Sequence, residues 1–190
     1  VSSLDAVSQG RFDLGIGMGW MPEEFEAGGQ EFKRRGARAD EMLEIMKLLW
    51  TGKMVDFQGE FFNFKKLEML PAPKNDIPIY VGGFSEPALN RAAKHEGWIS
   101  DMHSLGELEA LMAKLNAKRQ ELPNKEHYEY ICFSCWDAFS LEGFGKMKDL
   151  GVTTMTTYPW MLYGAMNDAP LEQKIEGMQK FYDEVILKLT

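Results

Sequence analysis

Residues 77 to 88 read Ile77-Pro78-Ile79-Tyr80-Val81-Gly82-Gly83-Phe84-Ser85-Glu86-Pro87-Ala88. Its β-branched and aromatic run predicts a short buried strand, and the paired glycines end that strand in a tight turn. Ser85 then stands where a helix N-cap is expected, with Pro87 in the first turn, where a missing N–H costs nothing. The stretch is one strand-turn-helix unit.

Working outward, the same unit recurs. Residues 12–17, 98–100, 128–136 and 151–158 read as further strands, and helices are expected over 36–50, 86–95, 105–122, 141–150 and 171–187. Met42, Ile45, Met46 and Leu49 form the apolar stripe of the first helix, and Leu108, Leu111, Met112 and Leu115 that of the third, at the spacing a helix face requires. Residues 55–64 alternate around Gly59 and predict a small hairpin, an insertion covering about 54–65. Five strands, each followed by a helix, demand a parallel sheet covered by helices. An open doubly wound sheet and part of an eight-unit barrel both satisfy that demand. No repeat, low-complexity tract or linker interrupts the chain, so residues 1–190 are expected to form a single domain.

Composition narrows the function classes. The chain has 45% hydrophobic and 26% charged residues and a net charge of -8, the profile of an ordinary globular protein. Without a lysine or arginine block it lacks the means to neutralise phosphates, so nucleic acid and anionic membrane surfaces are not expected partners. No apolar run approaches the roughly 20 residues that span a bilayer, and the first residues lack a secretory pattern. A cytoplasmic protein is expected.

In both architectures chemistry sits on loops at the C-terminal ends of the strands. Three such loops stand out: Gly15-Ile16-Gly17-Met18-Gly19-Trp20, Gly82-Gly83-Phe84-Ser85 and Tyr158-Pro159-Trp160. The first is not a dinucleotide fingerprint, because Trp20 stands where the third glycine belongs and Pro22 delays the helix. Its alternating glycines instead let a flat ligand approach the backbone. The second can offer amides and the Ser85 hydroxyl to an anion such as a cofactor phosphate. Among the histidines, His95 is expected at the surface late in a helix and His127 ahead of a strand. His103 follows a strand at the functional end, beside Asp101. The pair Cys132 and Cys135 lacks further ligands at zinc spacing, and in a strand two positions three apart face opposite ways. Two buried, reduced thiols are expected, and no metal site.

The residues together resemble a known family. Leu4-Asp5-x-x-Ser8-x-Gly10-Arg11-Phe12, the glycine-rich strand end with Trp20, Glu23-Glu24-Phe25 and Arg35-Gly36-Ala37-Arg38-x-Asp40-Glu41 resemble the central part of the bacterial luciferase-like monooxygenases. So do Leu49-Trp50-Thr51, Phe57-x-Gly59-x-Phe61, and Pro78-Ile79-Tyr80-Val81-Gly82-Gly83-x-Ser85-x-x-Ala88 with Gly97-Trp98 behind it. The match is dense over residues 2–101 and loose beyond.

The resemblance implies a (β/α)8 TIM barrel whose C-terminal mouth binds reduced FMN or the deazaflavin coenzyme F420. This chain's five units resemble strands 4 to 8, residues 1–9 resemble the end of the third helix, and the first three units are lacking. Cofactor contacts fall on Gly17, Met18 and Gly19 and on Gly82, Gly83, Phe84 and Ser85. Some FMN-using members carry an arginine at the position resembling Met18, so Met18 favours F420. Trp20, His103 and Trp160 are expected around the pocket of a small-molecule substrate. No catalytic residue is assigned, because the side chains many members use near the reactive edge come from the first strands. The expected activity is monooxygenation or hydride transfer. A non-catalytic flavin-binding protein and a barrel for another phosphorylated metabolite are the alternatives. An open arc of five units exposes strand edges, which predicts that this segment alone is unstable or oligomeric, for instance a homodimer, unless the missing units are supplied.

Overall fold

In the computed structural model, which describes residues 1–122 and 127–189, the chain forms two units, Val1–Glu96 and Gly97–Thr190. The first contains helix α1 (Ser2–Ser8), strand β1 (Leu14–Ile16) and helices α2 (Pro22–Ala27) and α3 (Arg35–Trp50). The hairpin β2 (Val55–Gln58) and β3 (Asn63–Leu67) follows, then β4 (Ile79–Gly82) and α4 (Glu86–Ala92). Strands β1 and β4 pair in parallel, with Leu14 opposite Ile79 and Ile16 opposite Val81. Ile79 and Val81 are fully buried, alternating with half-buried Tyr80, as a strand covered on its inner face requires. Leu43, Leu49, Ile77, Leu89 and Ala92 complete this core.

Helix α3 departs from its expected stripe, because Met42 is exposed and Leu43 is buried in its place. The rest of the stripe holds, with Leu49 buried and Ile45 and Met46 half-buried, so the inward face extends towards Leu43 at its N-terminal half. Arg91, itself buried, explains part of this: its guanidinium donates to the Gly36 carbonyl at 3.1 Å and to Asp40 Oδ2 at 2.9 Å. A buried cation needs such partners, and they fix which face of α3 turns inward. The hairpin is held by the Glu41 carboxylate. It accepts the backbone N–H groups of Glu60 and Phe61 at 3.0 Å and that of Phe62 at 2.7 Å.

The second unit runs β5 (Gly97–Ile99), α5 (Leu105–Gln120), β6 (Glu129–Phe133), α6 (Leu141–Asp149) and β7 (Thr154–Thr156). A 3-10 turn (Pro159–Tyr163), α7 (Leu171–Phe181), a π turn (Tyr182–Ile186) and α8 (Leu187–Leu189) close it. Strand β6 pairs in parallel with β5, Trp98 opposite Tyr130, and with β7, Cys132 opposite Met155. Trp98, Leu108, Met112, Leu115, Phe144 and Met147 are buried, and the Phe144 ring meets those of Phe139 and Phe181 at 5.5 Å each.

Two expectations need correction. His95 is buried rather than superficial, with its Nδ1 3.4 Å from Lys47 Nζ. Strand β6 stops at Phe133, three residues short of the expected end, because its neighbour β7 ends at Thr156 and leaves no ladder to extend. The opposite-face argument for Cys132 and Cys135 therefore does not apply, since Cys135 lies beyond the strand. Both thiols are nonetheless free and buried, and burial pushes each up to about 11 by disfavouring the thiolate. At neutral pH they are inert core groups. His127, by contrast, is exposed and sits 2.7 Å from Glu129. No helix among the described residues is long and apolar enough to cross a membrane.

Candidate functional site

The pairing of Ile16 with Val81 decides the geometry of the first unit. Parallel neighbours lie about 4.8 Å apart, so the chain leaves β1 at Gly17 and β4 at Gly82 side by side, from the same end of the sheet. Sequence reasoning chose both turns separately; the register brings them together.

Their glycines are used differently. Gly19 has φ +72°, and a Cβ there would stand 2.7 Å from the Phe25 ring. Gly83 has φ +112°, and a Cβ would lie 3.1 Å from the Cβ of Ala88. Both are demanded by the fold itself. Gly17 is not: its backbone is ordinary and a Cβ would meet nothing within 4 Å. The open space beside Gly17 is room that a planar ligand could occupy against bare backbone. Trp20, 78% exposed, follows this turn, and Phe84 is exposed on the other.

Ser85 occupies the N-cap position of α4 with extended backbone angles, yet its side chain makes no capping hydrogen bond. The reason is legible locally. A cap accepts from the N–H at the second or third helical position, and Pro87 removes the first of those donors. Ser104 provides the contrast at the start of α5. With nearly the same backbone angles, its hydroxyl accepts from the Glu107 N–H and Glu107 returns the bond, a full capping box. Those bonds hold the Glu107 carboxyl below its usual range. Ser85 keeps a hydroxyl that its own helix does not use.

A pocket of about 380 Å³ adjoins the first turn, lined by Gly17, Met18, Phe25, Arg35, Arg38 and Met42 among others. Arg35 is committed: Nε donates to the Gly19 carbonyl at 2.9 Å, and the guanidinium lies 3.8 Å from the Phe32 ring centre. Arg38 makes no side-chain hydrogen bond or ion pair among the described residues, and is half-buried. Sequence reasoning had not picked out this cation as a site residue. Its signal was the three-residue spacing from Arg35, which puts both on one helix face.

In the second unit, His103 and Trp160 stand on the loops after β5 and β7. The His103 carbonyl accepts the Trp136 N–H at 3.3 Å, tying the loops after β5 and β6 together. Trp160 packs against α7, where a Cβ on Gly177 would meet its backbone at 2.7 Å, and its ring lies 5.9 Å from Lys174 Nζ. Among the described residues no group of three or more His, Cys, Asp or Glu is placed to hold a metal ion.

Residues 1–132 match the luciferase-like monooxygenases. The chain belongs to that family. An uncharacterised protein of Mycobacterium tuberculosis is 37% identical to this luciferase-like chain over 188 residues, 98% of this chain and 65% of that protein. An F420-dependent glucose-6-phosphate dehydrogenase of Gordonia bronchialis is 37% identical over 100 residues, 50% of this chain and 29% of that one. The chain thus spans under two thirds of the length of either relative. Among solved structures, monooxygenase RslO1 from Streptomyces bottropensis superposes with a TM-score of 0.75 at 18% identity, covering 100% of this chain and 72% of that one. That likeness concerns the fold alone: an α/β chain of parallel strand-helix units, part of a luciferase-like barrel.

Proposed function

We propose that the protein is an oxidoreductase that uses reduced F420 or FMN at the C-terminal end of its strands to transform a small organic substrate. The observation that carries this reading is the register of Ile16 against Val81, which sets two glycine turns side by side. Fit to such a cofactor is supported by the unused space at Gly17 and the uncapped hydroxyl of Ser85. The turn Gly82-Gly83-Phe84-Ser85 would hold the phosphate, as a hydroxyl and backbone donors at a strand-helix junction do. Gly17, Met18 and Gly19 would let the ring system lie against the backbone. Met18, in place of a cation, favours F420 over FMN.

When bound, the reduced ring would supply the hydride or activate oxygen, and the chain supplies orientation and a dry wall. Trp20 borders the turn after β1, and His103 and Trp160 those of the second unit, as candidate substrate-pocket residues. Small-molecule substrates are the partners this reading requires.

Titrating the chain with F420 and with FMN, followed by absorbance and by calorimetry, tests the proposal. Saturable binding of one of them at micromolar concentration is expected. Binding of neither, or equal binding by a Gly17→Trp variant that fills the open space, would overturn it.

A further inference from the structure

Helix α7 carries apolar side chains on two sides. The inward side is in use: a Cβ on Gly177 would meet the Trp160 backbone at 2.7 Å, the Phe181 ring lies 5.5 Å from that of Phe144, and Val185 is buried in the π turn that follows. The second side is bare. Leu171, Ile175, Met178, Tyr182 and Ile186 are between 40% and 66% exposed. At 3.6 residues per turn the first three lie within about 60° of one another, and Tyr182 and Ile186 continue the row in four-residue steps. Helix geometry therefore gathers them into one stripe.

A solvated helix face is polar, and the other long helices obey that rule. Helix α3 exposes only Met42, α6 only Leu141, and α5 no large apolar side chain among its described residues. The polar groups of α7 are spent on one another or on the chain beside them. Lys180 Nζ lies 2.8 Å from Glu176 Oε1, Gln179 Nε2 donates to Asp183 at 3.3 Å, and Lys174 Nζ donates to the Asn167 carbonyl at 2.6 Å. No charged side chain stands in the row itself.

We propose that this stripe is where a second copy of the chain docks, with the α7 helices of the two copies packed about a two-fold axis that passes near Met178. Apolar residues at alternating steps of four and three form the seam of two packed helices, and a two-fold axis sets the same patch on both partners. Side chains of this size, half-exposed, leave about 100 Å² each, so the stripe offers roughly 500 Å² and a symmetric pair buries about 1,000 Å², the threshold for a specific but weak interface. Two chains of net charge -8 repel one another. The attraction is therefore apolar, and screening the charge strengthens it.

Sedimentation velocity of the whole chain across the micromolar range, with neither cofactor present, tests this. A reversible equilibrium between monomer and dimer is expected, shifting towards dimer as salt is raised. Met178→Lys puts an unpaired charge in the seam and should weaken the dimer at least about tenfold, while the circular dichroism spectrum and the melt of the dilute protein stay those of the parent. Met178→Cys should cross-link into a covalent dimer under a mild oxidant. Lys180→Cys, on the far side of the helix, should not. A monomer at every concentration, association that salt weakens, or equal cross-linking by the two cysteine variants would each overturn the inference. So would a dimer indifferent to Met178→Lys, the result expected if the copies pair through the edge strands β1 or β7 instead.

Discussion

The starts of α4 and α5 differ in a way that separates structural serines from available ones. Ser85 and Ser104 share the N-cap position and nearly the same backbone angles, -69°, 156° and -69°, 159°. Ser104 closes a capping box with Glu107, whereas Ser85 makes no cap bond behind Pro87. The same residue type in the same local conformation thus caps its helix at one site and does not at the other. The glycines divide likewise: Gly83 and Gly19 hold positive φ angles, and Gly17 does not. Positions that the fold does not need are where a ligand's requirements become visible.

Substitutions can break this distinction, beginning with the one the fold should resist most. Gly83→Ala forces a side chain into φ +112° against Ala88, and we expect a loss of about 1–3 kcal/mol of stability in denaturant unfolding. A melt indistinguishable from the parent would remove Gly83 from the structural class. Gly17→Ala should leave the melt unchanged or slightly raised, yet weaken F420 or FMN binding about tenfold, close to 1.4 kcal/mol. If stability falls while affinity holds, Gly17 belongs with Gly83 after all.

The serines sharpen the contrast at smaller magnitude. Ser104→Ala should cost about 1 kcal/mol of stability through loss of the cap, with cofactor binding untouched. Ser85→Ala should cost almost no stability, while its cofactor affinity drops severalfold, by about 1 kcal/mol for one lost hydrogen bond. Equal melting shifts for both would erase the difference between the two helix starts.

Much of this architecture was legible in the chain. Strand-helix alternation follows from the period of apolar residues, and the turns at Gly17 and Gly82 follow from glycine placement at strand ends. The hidden parts depended on partners distant in sequence. Glu41 is an ordinary helix residue until the hairpin amides of residues 60–62 arrive at its carboxylate. Leu43 is buried on the side of α3 where Gly36 and Asp40 accept hydrogen bonds from Arg91, some fifty residues on. His95 reads as superficial beside Lys94, and tertiary packing buries it.

By itself, then, the sequence determined the family, the repeated unit and the two glycine turns, because backbone conformation and local period are encoded by neighbours. Only the tertiary structure decided that the turns leave adjacent strands from one end, and that Gly17 opens onto free space. It alone also showed Asp101 and Asp137 accepting backbone N–H groups of Met102 and Leu105. Register, exposure and the pairing of charges are properties of residues brought together from far apart, and no local pattern records them.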